Sequence, residues 1–175
     1  MPGTVRGVPR LDGVPSIRIS RARARDATPV PHIELETFIA ASPERCFELS
    51  LDVEVHLASA DATHERVVAG RVSGTMQLGE RVTWEAHHLG RRRLLETEIT
   101  AYDRPRHFRD EQVRGPFRHF THDHFFESVE PGTAMRDVLQ FAACPVVDAL
   151  LLAPYLRRFL VRRNATIKRL AERPT

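Results

Sequence analysis

Between Arg66 and Ala143 the sequence is cut by turn signals at intervals too short for a helix to cross over. Gly90, Asp103-Arg104-Pro105, Gly115-Pro116 and Pro131-Gly132 separate five alternating runs, at residues 81–89, 92–102, 107–114, 118–129 and 133–143. A parallel strand pair needs a dozen or more connecting residues, so these runs are expected to pair antiparallel. A shorter strand is expected at Val67-Val68.

Alternation then assigns faces. Val82, Trp84 and Ala86 share one parity, as do Leu95, Thr97 and Ile99. The last strand carries Met135, Val138, Leu139 and Phe141 as its apolar set. Phe120, His122, His124 and Phe126 also share one face, which makes two imidazoles between two aromatics either an unusual core or the wall of a ligand cavity.

Helices flank this series. Ile33, Leu35, Thr37 and Ile39 alternate with His32, Glu34, Glu36 and Phe38, the pattern of a half-buried strand. Ser42-Pro43 follows as a helix start, with Ser as cap and Pro at the first helical position. A short helix through Cys46, Phe47 and Leu49 is expected, then a second through Val53, Val55 and Leu57. Val146–Leu152 reads as a buried, helical lead-in to a long final helix after Pro154. On that helix Leu156, Phe159, Leu160, Ile167 and Leu170 form the apolar stripe, and Arg157, Arg158, Arg162, Arg163 and Lys168 are expected to be solvated.

The 175 residues suffice for one domain of ordinary size. Residues 1–31 carry six arginines against Asp12 and Asp26, a balance of +4, while the remainder carries 20 basic and 21 acidic residues. The basic character therefore belongs to an expected disordered tail, with a short strand allowed at Ser16–Ser20, and nucleic acid is not an expected partner. No run is apolar enough to span a membrane, and the first 30 residues lack the apolar block of a secretory signal. Cys46 and Cys144 fit two reduced thiols in a cytoplasmic protein.

The chemistry-bearing residues gather on the hairpin around Gly115-Pro116. Asp110 and Gln112 share the parity of Phe108, so all three face inward if Phe108 does. Pairing of Asp110 with His122 or His124 across the hairpin would satisfy a buried carboxylate, and such a pair could act as general base. The same groups could also form a polar network without chemistry. A metal bound by His122 and His124 would need further ligands, with Asp110, Glu111 or His88 nearby by strand order. No H-x-x-x-H, C-x-x-C or facial-triad spacing accompanies them, so no metal or other cofactor is expected. No nucleophile elbow or phosphate loop is present in the sequence.

Several segments together carry a family resemblance: Ser42-Pro43-Glu44-Arg45-Cys46-Phe47, Thr97-x-Ile99-Thr100-x-Tyr102-Asp103-x-Pro105, Phe108-x-Asp110-x-Gln112, Gly115-Pro116-Phe117 and His122-x-His124-x-Phe126-Glu127. Over residues 32–171 the chain resembles the START and birch-pollen-allergen superfamily, called SRPBCC, in its bacterial polyketide cyclase/dehydrase-like, ligand-binding branch. The resemblance implies an α+β helix-grip fold: a curved antiparallel sheet of six to seven strands around a long C-terminal helix, with two short helices after the first strand. Residues 32–173 would form a single domain of this kind.

It also implies a cavity between sheet and helix for a small or medium hydrophobic molecule, lipid- or polyketide-like. Trp84, Phe120, Phe126 and Leu156 would supply its apolar walls. Gln112, His122, His124 and Asp110 would address the ligand's polar end. One alternative is a cofactor-independent cyclase or dehydratase using Asp110 with His122 or His124 as acid/base group. Another is an interaction module with a filled cavity. Whether a reaction is catalysed, and whether the chain forms a homodimer, stay open at this point.

Overall fold

The computed structural model describes residues 31–60, 65–88, 91–143 and 151–174, without the side chains of His87, His88 and Arg91. The expected tail, its strand at Ser16–Ser20, the Gly90 turn and most of the Val146–Leu152 lead-in lie outside these residues. The described residues form one seven-stranded antiparallel sheet with three helices.

The strands are β1 (His32–Ile39), β2 (Arg66–Gly70), β3 (Arg81–His88), β4 (Arg91–Asp103), β5 (His107–Arg114), β6 (His119–Val129) and β7 (Gly132–Ala142), in the spatial order β1-β7-β6-β5-β4-β3-β2. Neighbours from β2 to β7 are consecutive in the chain, and β1 adds to β7 at the far edge. Gly132 sits where a side chain would collide with the Ile39 carbonyl, so the close crossing of β7 and β1 requires glycine there.

Helices α1 (Pro43–Leu51) and α2 (Val53–Ser59) follow β1. Ser42 accepts from the Arg45 amide at 3.3 Å and Pro43 opens the first turn, as its missing N–H allows. Asp52 ends α1 and caps α2 through a 2.9 Å bond from Val55 N, so the two helices meet at one residue. The long α3 (Ala153–Ala171) lies against the same sheet face, and Leu160, Arg163, Asn164, Ile167 and Ala171 are its buried positions.

That set corrects the expected helix pattern. Arg163 is 5% exposed, because helical spacing places it between Leu160 and Ile167 on the buried stripe. A second correction concerns β7, whose buried residues are Thr133, Met135, Asp137, Leu139 and Phe141, while Val138 is half-buried on the other parity. On β4, register shifts beside Thr97 and Ile99 change the parity, so that Ile99 and Tyr102 both reach one apolar cluster. Phe47 of α1 centres that cluster, edge-on to Tyr102, Phe108 and Phe126 at 5.2, 5.5 and 5.5 Å.

Candidate functional site

A cavity of about 340 Å³ lies between the helix-facing side of the sheet and α3. Val82, Trp84, Ile99, Phe120 and Leu139 line it from the strands, and Leu156, Phe159 and Leu160 from the helix. Its wall is apolar except at a few points, of which Asp110, His122, His124 and Arg163 form one cluster.

Strand register builds that cluster. Asp110 on β5 pairs with His122 on β6, and His124 on β6 pairs with Asp137 on β7. Period-two alternation turns all four inward, so two imidazoles stand between two carboxylates. The rings lie 3.8 Å apart, and His124 stacks on Phe108 at 4.1 Å.

On the cavity side Asp110 Oδ2 meets His124 Nε2 at 3.1 Å, with His122 Nδ1 at 3.9 Å. On the far side Asp137 Oδ1 lies 3.1 Å from His122 Nε2 and 2.8 Å from His124 Nδ1. Those two contacts are close in distance but misaligned, and neither ring nitrogen makes a hydrogen bond there. Asp137 is instead held by α3: Asn164 Nδ2 donates to Oδ2 at 2.7 Å and Arg163 Nη1 to Oδ1 at 3.3 Å. Arg163 Nη2 also donates to the Ser50 carbonyl at 3.2 Å, and Asn164 to Thr37 Oγ1 at 3.2 Å.

The charges follow from this packing. Burial acts to raise the Asp137 carboxyl, but the contacts of His122 and His124 and the charge of Arg163 hold it well below the ordinary carboxylate value. Asp110 is lowered in the same way: burial is outweighed by the His124 hydrogen bond and by the charges of His122, His124 and Arg163. His122 moves down from its usual value because burial, and then the neighbouring His124, disfavour its cation against the pull of Asp137 and Asp110. The cluster thus holds ionised carboxylates around a neutral His122, and Asp110 has a side chain 20% exposed.

The structure brings Asp110, His122, His124, Trp84, Phe120 and Leu156 together around the cavity. Gln112 and Phe126 are placed elsewhere. Gln112 clamps the β5–β6 turn, donating from Nε2 to the Phe117 carbonyl at 2.8 Å and accepting from the Phe117 amide at 3.1 Å. Phe126 has the expected parity, but one step past His124 it lies under α1 against Phe47. Glu111 belongs to the opposite face, where Arg109 approaches it at 3.5 Å.

Sequence reasoning missed Asp137, Arg163 and Asn164, and also His56, which stacks on Trp84 at 4.1 Å and bonds Glu65 at 2.8 Å on the cavity wall. Asp137 had a signal: it shares the parity of Met135, Leu139 and Phe141.

No family model and no curated protein matches the chain. Solved structures do. The Zhui aromatase/cyclase from Streptomyces sp. R1128 superposes with a TM-score of 0.66 at 15% identity, over 82% of this chain and 94% of that one. The major latex-like protein 151 of Panax ginseng gives 0.62 at 16% identity, over 82% and 99%. Ara h 8.0201 gives 0.62 at 12% identity, over 82% and 98%. No helix among the described residues is long and apolar enough to cross a membrane. Seven antiparallel strands, two short helices after the first and a long helix over the sheet give this chain an α+β helix-grip fold, shared with these solved structures.

Proposed function

We propose that the chain binds a small or medium, mostly apolar molecule in the cavity under α3, with the molecule's polar end against Asp110, His122 and His124. One observation carries this reading: mostly apolar walls from sheet and helix enclose a space of about 340 Å³ that includes the buried cluster of Asp110, His122, His124 and Arg163. Small-molecule sites are built this way, apolar burial supplying affinity and a few polar groups fixing orientation. The open volume also counts against an interaction module with a filled cavity. Trp84 with its stacked His56, Phe120 and Leu156 supply walls suited to flat or branched hydrocarbon.

The test is titration with anilinonaphthalene sulfonate, read by the probe's fluorescence, beside native mass spectrometry of the freshly purified chain. Wild type should take up one saturable equivalent. Leu156→Trp, which fills the cavity from the half-buried side of α3, should weaken uptake by at least about tenfold without lowering the melting temperature. Uptake that does not saturate, or that ignores Leu156→Trp, refutes the reading.

A second reading, acid/base catalysis of cyclisation or dehydration on a polyketide-like chain, is favoured by the partly exposed Asp110 bonded to His124. An ionised carboxylate beside an imidazole at the end of an apolar cavity suits proton abstraction next to a carbonyl.

A further inference from the structure

His122 and His124 have more carboxylate contacts than protons to satisfy them. Asp110 Oδ2 approaches one nitrogen of each ring, at 3.9 and 3.1 Å, and Asp137 Oδ1 approaches the other nitrogen of each, at 3.1 and 2.8 Å. Two neutral imidazoles carry only two N–H groups between them, so two of these four approaches have no proton. Two of the buried nitrogens, His122 Nε2 and His124 Nδ1, make no hydrogen bond. Two carboxylates, Asp110 and Asp137, and one guanidinium, that of Arg163, meet at this pair of rings.

We propose that a divalent transition-metal ion binds between Asp110, His122 and His124 at the polar end of the cavity, with Asp137 orienting both imidazoles from behind. The donor atoms already lie within 4.8 Å of one another. Two ligands each about 2.1 Å from an ion stand at most about 4.2 Å apart, so small side-chain rotations close the site. Two imidazoles and a carboxylate are a donor set for zinc or ferrous iron.

The arrangement behind the ligands points the same way. A ligating histidine directs its second ring nitrogen to a carboxylate that fixes its tautomer. Asp137 lies behind both rings, 3.1 and 2.8 Å from their second nitrogens and itself fixed by Asn164 and Arg163, so that the same small rotations would bring these contacts into line. With protons on the Asp137 side, each ring turns a lone pair towards Asp110.

The spacing rules that argued against a metal apply to ligands on one element. Here the third ligand comes from the neighbouring strand, through the Asp110–His122 pairing. Three protein ligands leave open positions, as in metal sites that act on a bound molecule. A carbonyl or hydroxyl oxygen at the ligand's polar end would complete the coordination. That last point rests on the cavity reading, whereas the ion site stands on the side chains alone.

The experiment uses the untagged, chelator-dialysed full chain titrated with Co²⁺, read by visible d–d absorption, and with Zn²⁺ by calorimetry. One equivalent should bind. His122→Ala, His124→Ala and the isosteric Asp110→Asn should each lose at least about tenfold in affinity, and Asp137→Asn about ten- to a hundredfold. His119→Ala, of opposite parity on the same strand, should bind as wild type does. Thermal melts identify any variant that fails to fold, and Asp110→Asn, at a partly exposed site, keeps the test decisive.

Absence of a saturable Co²⁺ band, or affinity unchanged in Asp110→Asn, overturns the proposal. Uptake of anilinonaphthalene sulfonate under chelator without a Co²⁺ band overturns the metal site and leaves the cavity reading standing. A Co²⁺ band without probe uptake supports the metal and refutes the cavity reading.

Discussion

Replacing Arg163 by methionine tests whether the buried ion pair organises the molecule. Met keeps much of the length and apolar stem of arginine, so the change removes mainly the charge and its hydrogen bonds. At 3.3 Å the Arg163–Asp137 attraction is about 5 kcal/mol at an effective dielectric constant of about 20. The bonds to the Ser50 carbonyl and to Asn164 Oδ1 disappear with it. Desolvation of the guanidinium is recovered, but Asp137, fully buried, keeps its charge with only Asn164 donating to it in good geometry. The expected loss is that of breaking a buried pair by removing one partner, about 3–5 kcal/mol.

Urea unfolding at neutral pH measures it, and an unchanged denaturant slope would show that the surface exposed on unfolding is the same in both proteins. The double variant Arg163→Met with Asp137→Asn removes the stranded charge. It should be no less stable than Arg163→Met alone, giving a coupling of at least about 2 kcal/mol. Single losses below about 1 kcal/mol, or additive losses, would refute the argument that the pair is interdependent.

Two further outcomes follow from other contacts. Gln112→Leu should destabilise by about 1–3 kcal/mol, because the Phe117 amide and carbonyl lose their partner in the half-buried turn. Its probe affinity should stay within about threefold of wild type, and a larger fall would mean that Gln112 addresses the ligand after all.

Acid stability should depend on Asp137. Its folded-state value lies well below the unfolded one, so its contribution is complete above about pH 4–5 and is lost as pH falls towards the folded value. The stability gap between wild type and Asp137→Asn, followed by urea unfolding, should therefore narrow from about pH 7 to about pH 3, and a constant gap would contradict this assignment.

Much of the fold was legible because local chemistry agrees with the global arrangement. Ser42-Pro43 marks a helix start wherever it packs, and the turn signals at 103–105, 115–116 and 131–132 fix where strands end. The parity of Phe120, His122, His124 and Phe126 placed the histidines on the helix-facing side without knowledge of strand order. What was lost depended on partners far apart in the chain. Arg163 alone among arginines looks like part of a solvated face, and Asp137 alone looks like a surface residue. Burial of each makes sense only once β7 lies beneath α3, an adjacency that periodicity does not reveal.

Phe126 shows a different limit. Alternation names a face but not the position along it, and the difference between cavity wall and solid packing was set by Phe47 arriving from α1. Gln112 was claimed by the turn it closes, a role visible only once Phe117 folds back over it.

The distribution of bonds along α3 carries a mechanical consequence. From Arg163 onward the helix is riveted to the sheet and to α1: Arg163 to Asp137 and Ser50, Asn164 to Asp137 and Thr37, Lys168 to the Phe38 carbonyl at 2.7 Å, and Glu172, just past its end, to the Ala40 amide at 2.9 Å. Its earlier turns, with Leu156, Phe159 and Leu160, form the roof over the hollow. A bulkier guest would press on the span from Leu156 to Leu160, since displacement from Arg163 onward would break ionic and polar bonds together. Capacity can then be tuned by substitutions near Leu156, while the footing at Arg163 keeps the polar end of the hollow in register.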